Sequence, residues 1–364
     1  MIDIPPRTTD ETLADLHRRL RATRRIDLPP DHDWARGTDA DYLTDLLQYW
    51  ADGYDWRRNE DRIRALPWVG TRSSGVDARS IHQRAVPEAP AVLLLHGWPD
   101  SVLRFERVLP LLADLNVVAP ALPGYPFAPP LTTAGMSTSA MADVVAGIMN
   151  QLGYDRYVVS GGDVGSSVAE ALAAAHPEQV SALHLTDVPY THLFTIDPTD
   201  LTDDEQKYLS DGQQWQFTEG AYALEQSTKP HTLAAALGDS PAGLAAWIVE
   251  KLRGWSDCNG NVESVFSKDE ILTWVTAYWV TGTIGTSFSP YVEPKDPIDK
   301  VSTPTVVTIF PKDLVTAPRH FGERFFDVRQ WDEQPSGGHF GAWERPEAFA
   351  DGIRAAVAVG TRGA

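Results

Sequence analysis

Residues 161–166 read Gly-Gly-Asp-Val-Gly-Ser, at the end of the apolar run "RYVVSG" (156–161), and after Ser167 comes the helix-like "VAEALAAAHP". A carboxylate on so tight a turn needs a reason. The order small, any, nucleophile, any, small, small is that of a nucleophile elbow, where small neighbours let strand and helix approach and hold the central residue strained. The N-terminus of the following helix favours negative charge at that point. Asp163 stands where serine is usual. A serine must lose a proton to attack, whereas a carboxylate with an ordinary pKa of ~4 is already ionised at neutral pH. Carboxylates attack saturated carbon and leave an alkyl ester, which water activated by a histidine can hydrolyse. Asp163 therefore points to epoxides or alkyl halides before carboxylic esters. Taken alone, the hexapeptide also suits a capping aspartate in a glycine-rich turn.

Three further stretches supply partners in chain order. His96-Gly97-Trp98-Pro99 follows the run "AVLLL" (91–95), where an oxyanion loop is expected. The backbone N–H groups of Trp98 and Val164 would hold the oxyanion formed during ester hydrolysis, each such donor being worth ~3 kcal/mol; His96 itself reads as structural. Near the C-terminus, Gly337 and Gly338 precede His339, which stands after the last strand run, the place of the base in the order nucleophile, acid, base. Between them, Asp313 in "FPKD" ends the run "PTVVTIF" and is the expected acid. Asp187, just after "VSALHLT", is the rival acid.

The elements that must position these residues alternate. Short apolar runs at 91–95, 116–122, 156–161, 180–186, 304–310 and 325–331 are separated by helical segments, which indicates βαβ units and a mainly parallel sheet, an α/β fold. Before about residue 71 the chain reads as helical and irregular. "TTDETLADLHRRLRATR" has capping threonines and leucines at helical spacing, and "DADYLTDLLQYWADGYDWR" is a second amphipathic segment. Strand runs are missing between about 190 and 296, where "PAGLAAWIVEKLRGW" and "SKDEILTWVTAYWV" are helical, the second opening with Ser267 and Glu270 in capping-box register. The expected organisation is an N-terminal helical meander over 1–70, a sheet core over 71–190, a helical lid over 191–296 and the rest of the core over 297–364.

Bulk composition narrows the partners. The formal net charge of the 364 residues is −19, which disfavours nucleic acid and anionic membrane surfaces and suits a small neutral substrate. Cys258 is the only cysteine, so neither a disulfide framework nor a thiolate metal cluster is expected. The N-terminus lacks the layout of a signal peptide, and no apolar run reaches membrane-spanning length. A cytoplasmic protein needing no metal or other cofactor is expected. The oligomeric state, a homodimer included, is open.

With "YDWRRNE" (54–60), "HGWPDS" (96–101), "GGDVGS" (161–166), "STKPHTLAAALGDSPAGLAAWIVEKLRGWSD" (227–257) and "YWVTGTIGTSF" (278–288), the chain resembles the epoxide hydrolases of the α/β-hydrolase superfamily. It is most similar to the microsomal and juvenile-hormone branch with an N-terminal meander. The resemblance spans nearly the whole chain. It implies an α/β-hydrolase fold and conversion of an epoxide to a vicinal diol through an aspartyl ester, with a small hydrophobic epoxide and water as partners. It also implies two lid tyrosines that hydrogen-bond the epoxide oxygen and protonate the leaving alkoxide, matching Tyr222 in "EGAYALEQSTKP" and Tyr291 in "SFSPYVEP". Soluble bacterial relatives of this branch include enzymes of secondary metabolism, enediyne pathways among them, so the resemblance implies a biosynthetic role as readily as detoxification.

The match departs from the family at Val164, often tryptophan; at Asp313, glutamate in the microsomal enzymes; and in "PGYPFAPP", which replaces a glycine-and-serine loop. No membrane anchor stands ahead of the meander, so a soluble protein is expected. A haloalkane dehalogenase would use the same ester but needs halide-binding N–H groups such as a tryptophan at 164. A silent ligand-binding member of the fold is the rival from another class. Trp247, Trp255, Trp274 and Trp279 are read as lid core before pocket wall.

Overall fold

The computed structural model of the chain describes residues 4–24, 34–131, 135–294 and 296–362. Residues 1–3 and 25–33 of the expected meander lie outside them. Eight strands form one sheet: β1 (Trp68–Ser73), β2 (Val76–Gln83), β3 (Ala91–Leu95), β4 (Asn116–Pro120), β5 (Tyr157–Gly161), β6 (Val180–Leu185), β7 (Val301–Ile309) and β8 (Phe326–Glu333). Their order across the sheet is β1-β2-β4-β3-β5-β6-β7-β8. From β4 onward all neighbours are parallel, while β2 runs antiparallel to both β1 and β4. The uninterrupted apolar runs became β3, β4 and β5, buried at every residue, as parallel strands covered on both faces must be. No apolar run marked β1 and β2. They carry Arg72, Asp77 and Arg79 and are only partly buried; β1 is the edge strand and β2 lies between it and β4.

Parallel strands all end on the same side, so the loops after β3, β5, β6, β7 and β8 gather at one edge. Those loops carry the Trp98 turn, Asp163, Asp187, Asp313 and His339. Pairing sets the two most important in register: Leu95 of β3 lies opposite Gly161 of β5, which brings the Trp98 turn against the elbow.

Between β6 and β7 the described residues are helical or irregular, with helices Asp203–Thr218, Ala221–Thr228, Pro230–Asp239, Pro241–Trp255 and Lys268–Thr281. Ser267 caps the last of these and Glu270 returns the bond, completing the expected capping box. The N-terminal helix Asp10–Arg21 starts at Thr9, whose side chain accepts from the Thr12 N–H. It ties to the lid through Arg19, which donates to the Asp239 backbone carbonyl at 2.7 Å and to its carboxylate at 2.6 Å. Thr38 donates to the Ala246 carbonyl at 2.7 Å and Tyr49 to Asp269 at 2.7 Å, while the hydroxyls of Tyr54 and Thr273 lie 3.0 Å apart. The meander thus braces the lid from outside. No single described helix is long and apolar enough to cross a membrane.

The joint between β5 and its helix tolerates no extra atom. A methyl group on Gly165 would lie 2.3 Å from the Leu95 carbonyl oxygen and 2.8 Å from that of His96, contacts that only backbone movement could relieve. Gly165→Ala is expected to destabilise the fold by about 3 kcal/mol or more in chemical unfolding, through overpacking. Gly254→Ala, in a helix with open space at its Cα, is the control and should be neutral or stabilising by about 0.5–1 kcal/mol.

Candidate active site

Asp163 adopts φ 57° and ψ −128° at the N-cap of helix Val164–Ala175. No side-chain cap bond ties its carboxylate to that helix, so the carboxylate is free to face the cavity. Its Oδ1 accepts the Trp98 N–H at 2.7 Å, and the Val164 N–H also favours its charged form. The approach is close because residue 97 is glycine: a Cβ there would lie 2.3 Å from Asp163 Oδ1. The Trp98 turn, with a cis Trp98–Pro99 bond, is held from below. Asp100 accepts the Gly97 N–H at 3.0 Å and pairs with buried Arg104 at 2.7 Å, and Arg104 donates to the His339 carbonyl at 3.1 Å. His96 Nε2 accepts the Leu122 N–H at 3.0 Å, which fixes His96 as a buried loop support.

His339 reaches the elbow from the loop after β8, with its own N–H donated to the Trp255 carbonyl at 2.8 Å. Its Nδ1 lies 2.7 Å from Asp313 Oδ1 and its Nε2 3.5 Å from Asp163 Oδ2. That Nε2 is buried and has no hydrogen-bond partner among the described residues. Burial opposes a charge on this imidazole, but Asp313 and then Asp163 outweigh it and raise its pKa to about 9. Asp163 is itself raised, chiefly by burial, with His339 and the two N–H groups pulling the other way. The partner of His339 is therefore Asp313, and Asp187 is bonded elsewhere. It accepts the Asp163 N–H at 3.0 Å and lies 2.8 Å from the Ser166 hydroxyl.

Tyr222 and Tyr291 enter from the lid side, on helix Ala221–Thr228 and on the short helix Ser289–Val292. The Trp98 indole stacks on Tyr222 with centroids 5.3 Å apart and 11° between planes, and meets Tyr291 edge-on at 6.2 Å. Both phenols are pushed well above their ordinary pKa, first by burial, so both stand as neutral donors. With Asp163, Val164, Asp313 and His339 they line a cavity of about 520 Å³, a size suited to a small ligand.

All residues expected at the site thus meet around one cavity, with Trp98 offering its backbone. None of the four lid tryptophans named from the sequence lines the cavity: Trp255 and Trp274 are buried, and Trp247 and Trp279 are half-buried against the core. Trp274 packs on Phe266, Phe340 and Trp343, and Trp255 backs Tyr222 and His339. Sequence reading missed the apolar walls, Tyr190, Phe194, Trp215 and Leu224. They belong to helical or loop segments whose inward face no spacing marks. It also missed the Asp100–Arg104 pair, visible only as an i, i+4 pair beside the turn.

Two family models match the chain, one described as "Epoxide hydrolase N terminus" over residues 3–105 and one as "alpha/beta hydrolase fold" over residues 90–283. A Stigmatella aurantiaca protein carrying an epoxide hydrolase name is 37% identical over 362 residues, covering 94% of this chain and 81% of that protein. Epoxide hydrolase 1 of Sus scrofa is 31% identical over 392 residues, covering 95% of this chain and 86% of the other. The solved structure of the Aspergillus niger epoxide hydrolase matches with a TM-score of 0.86 at 28% identity, covering 98% of this chain and 95% of that one. Matches of this length take in the meander, the elbow and the lid together. The chain belongs to the epoxide hydrolases of the α/β-hydrolase fold.

Proposed function

We propose that this epoxide hydrolase forms a covalent alkyl ester on Asp163 and resolves it with water activated by His339. The observation that carries the reading is the division of labour at one carboxylate. Oδ1 is held by the Trp98 N–H at 2.7 Å, and Oδ2 faces His339 Nε2 at 3.5 Å. Oδ2 attacks an oxirane carbon, the carbon–oxygen bond breaks, and the oxygen takes a proton from Tyr222 or Tyr291. Such a donor matters because the epoxide oxygen leaves poorly as a bare alkoxide.

The ester is then set for attack at Cγ. Alkylation removes the charge on Asp163, one of the two groups that raise the His339 pKa, so the imidazole is released to act as a base. It takes a proton from water at Nε2 while Asp313 balances the new charge at Nδ1. The oxyanion at Oδ1 is met by the N–H groups of Trp98 and Val164. Collapse breaks the bond from Cγ to Oδ2, the departing oxygen takes the proton held at His339 Nε2, the acid proton left on Asp163 returns to the phenolate, and the diol leaves with one oxygen from the enzyme.

The substrate proposed is a small hydrophobic epoxide, on the strength of the largely apolar walls contributed by Val164, Val188, Phe194, Trp215 and Leu224. A homodimer, and a place in secondary metabolism or in detoxification, are compatible settings. A panel of racemic epoxides assayed for diol would choose between the substrate classes these imply.

His339→Gln is expected to alkylate but not turn over. Mass spectrometry of the quenched variant should show the adduct on the Asp163 peptide, with steady turnover lowered by about 10²–10⁴. A single turnover of the wild type in ¹⁸O-water should place label in Asp163 and leave the first diol unlabelled at the added oxygen; label in that first diol would mean direct attack by water. Tyr222→Phe with Tyr291→Phe should lower the alkylation rate by at least about 10² while unfolding stays cooperative. Unchanged alkylation would remove the phenols from the mechanism.

A further inference from the structure

Asp187 is used by none of these steps, yet its position is closely specified. It follows β6, and its Oδ1 accepts the backbone N–H of Asp163 at 3.0 Å. Its Oδ2 lies 2.8 Å from Ser166 Oγ, which lies 2.7 Å from the Asp163 carbonyl oxygen. Ser166 is fully buried, and its hydroxyl has one proton for two short contacts. A carbonyl oxygen and an ionised carboxylate can both only accept, so the single serine proton cannot serve both contacts. Both are satisfied together when the Asp187 carboxyl carries a proton of its own and gives it to Ser166 Oγ, which donates to the Asp163 carbonyl.

The charges around Asp187 agree. Asp163 faces it from the elbow, Asp313 from the loop after β7, and the phenol of Tyr208 from the lid helix Asp203–Thr218. The imidazolium of His339 is shared between Asp163 and Asp313, and Arg104 is paired with Asp100. A third carboxylate here would be a buried anion among anions, which favours its neutral form. Burial first and Asp313 second push the Asp187 pKa up to about 7.

We propose that Asp187 is a positioning residue that carries a proton in the working enzyme. It clamps the Asp163 elbow through the backbone N–H and Ser166, and by losing that proton it sets the alkaline limit of ester hydrolysis. The loss breaks one link of the clamp, since Ser166 can no longer both receive from Asp187 and donate to Asp163. It also adds a negative charge beside Asp163, whose Oδ1 must carry the oxyanion of the second step.

The proposal rests on the reading of Asp163 as the nucleophile, and its first test needs no turnover. Infrared difference spectra of the free protein, titrated from about pH 6 to about pH 9, should show the C=O stretch of a protonated carboxyl disappearing with a midpoint near 7. Asp187→Asn should lack that band. Ser166→Ala removes the acceptor of the proton and should move the midpoint lower; a rise would mean that the serine donates to an ionised carboxylate, and the proposal would fall. In steady-state assays, Asp187→Asn, which mimics the neutral form, should lose the alkaline fall: the ratio of its kcat near pH 8.5 to its own kcat near pH 6 should exceed the wild-type ratio by about three- to tenfold. A wild type without the titrating band, or an Asn variant with the same alkaline fall in kcat, overturns the proposal. Either result leaves the covalent adduct on Asp163 to stand or fall by mass spectrometry.

Discussion

At Asp163 the chain passes from strand to helix with φ 57°, a state that costs a residue bearing a side chain on the order of 1–3 kcal/mol. Everything around the turn holds it there. Gly165 lets the helix press against the end of β3, and Ser166 and Asp187 bind the backbone of the turn. The strain serves geometry. It lifts the carboxylate clear of the helix and presents one oxygen to the Trp98 N–H and the other to His339.

The same packing decides the electrostatics. Three carboxylates and one imidazole are buried within a few residues of each other in space, which would be prohibitive if all three were charged without compensation. Compensation is uneven. Asp163 and Asp313 share the histidine's charge, two N–H groups serve Asp163 alone, and Asp187 is left without a cation. Burial also keeps the phenols of Tyr222 and Tyr291 neutral, so in the proposed reaction the side that approaches the epoxide oxygen donates while the side that approaches carbon attacks. The polarity runs across the cavity in one direction.

The lid and the meander make that cavity. Tyr222 and Tyr291 stand on two separate short helices, and what brings their rings together is contact with the Trp98 indole beneath them. Trp98 thus has two roles, offering its backbone to the Asp163 carboxylate and its ring to the two phenols. The meander contacts at Arg19, Thr38, Tyr49 and Tyr54 hold the lid helices from the other side. A lid braced on both faces holds the cavity walls in place.

Much was legible in the sequence because it depends on local rules. Long apolar runs marked the parallel strands, capping residues marked helix starts, and only small residues can flank an elbow, so Asp163, the Trp98 turn and His339 could be named from their neighbours. The edge strand β1 and its neighbour β2 escaped because partly buried strands need no apolar run. The two tyrosines were reachable only through resemblance, since nothing local separates them from the other tyrosines. The choice between Asp313 and Asp187 was beyond any local rule. Both follow strands whose ends open on one pocket, and the decision rests on which carboxylate comes within 2.7 Å of His339 Nδ1 and which lies under the Asp163 N–H. Chemistry of residue type is written along the chain; the pairing of charges is a matter of distances between segments far apart in it, and only folding sets those distances.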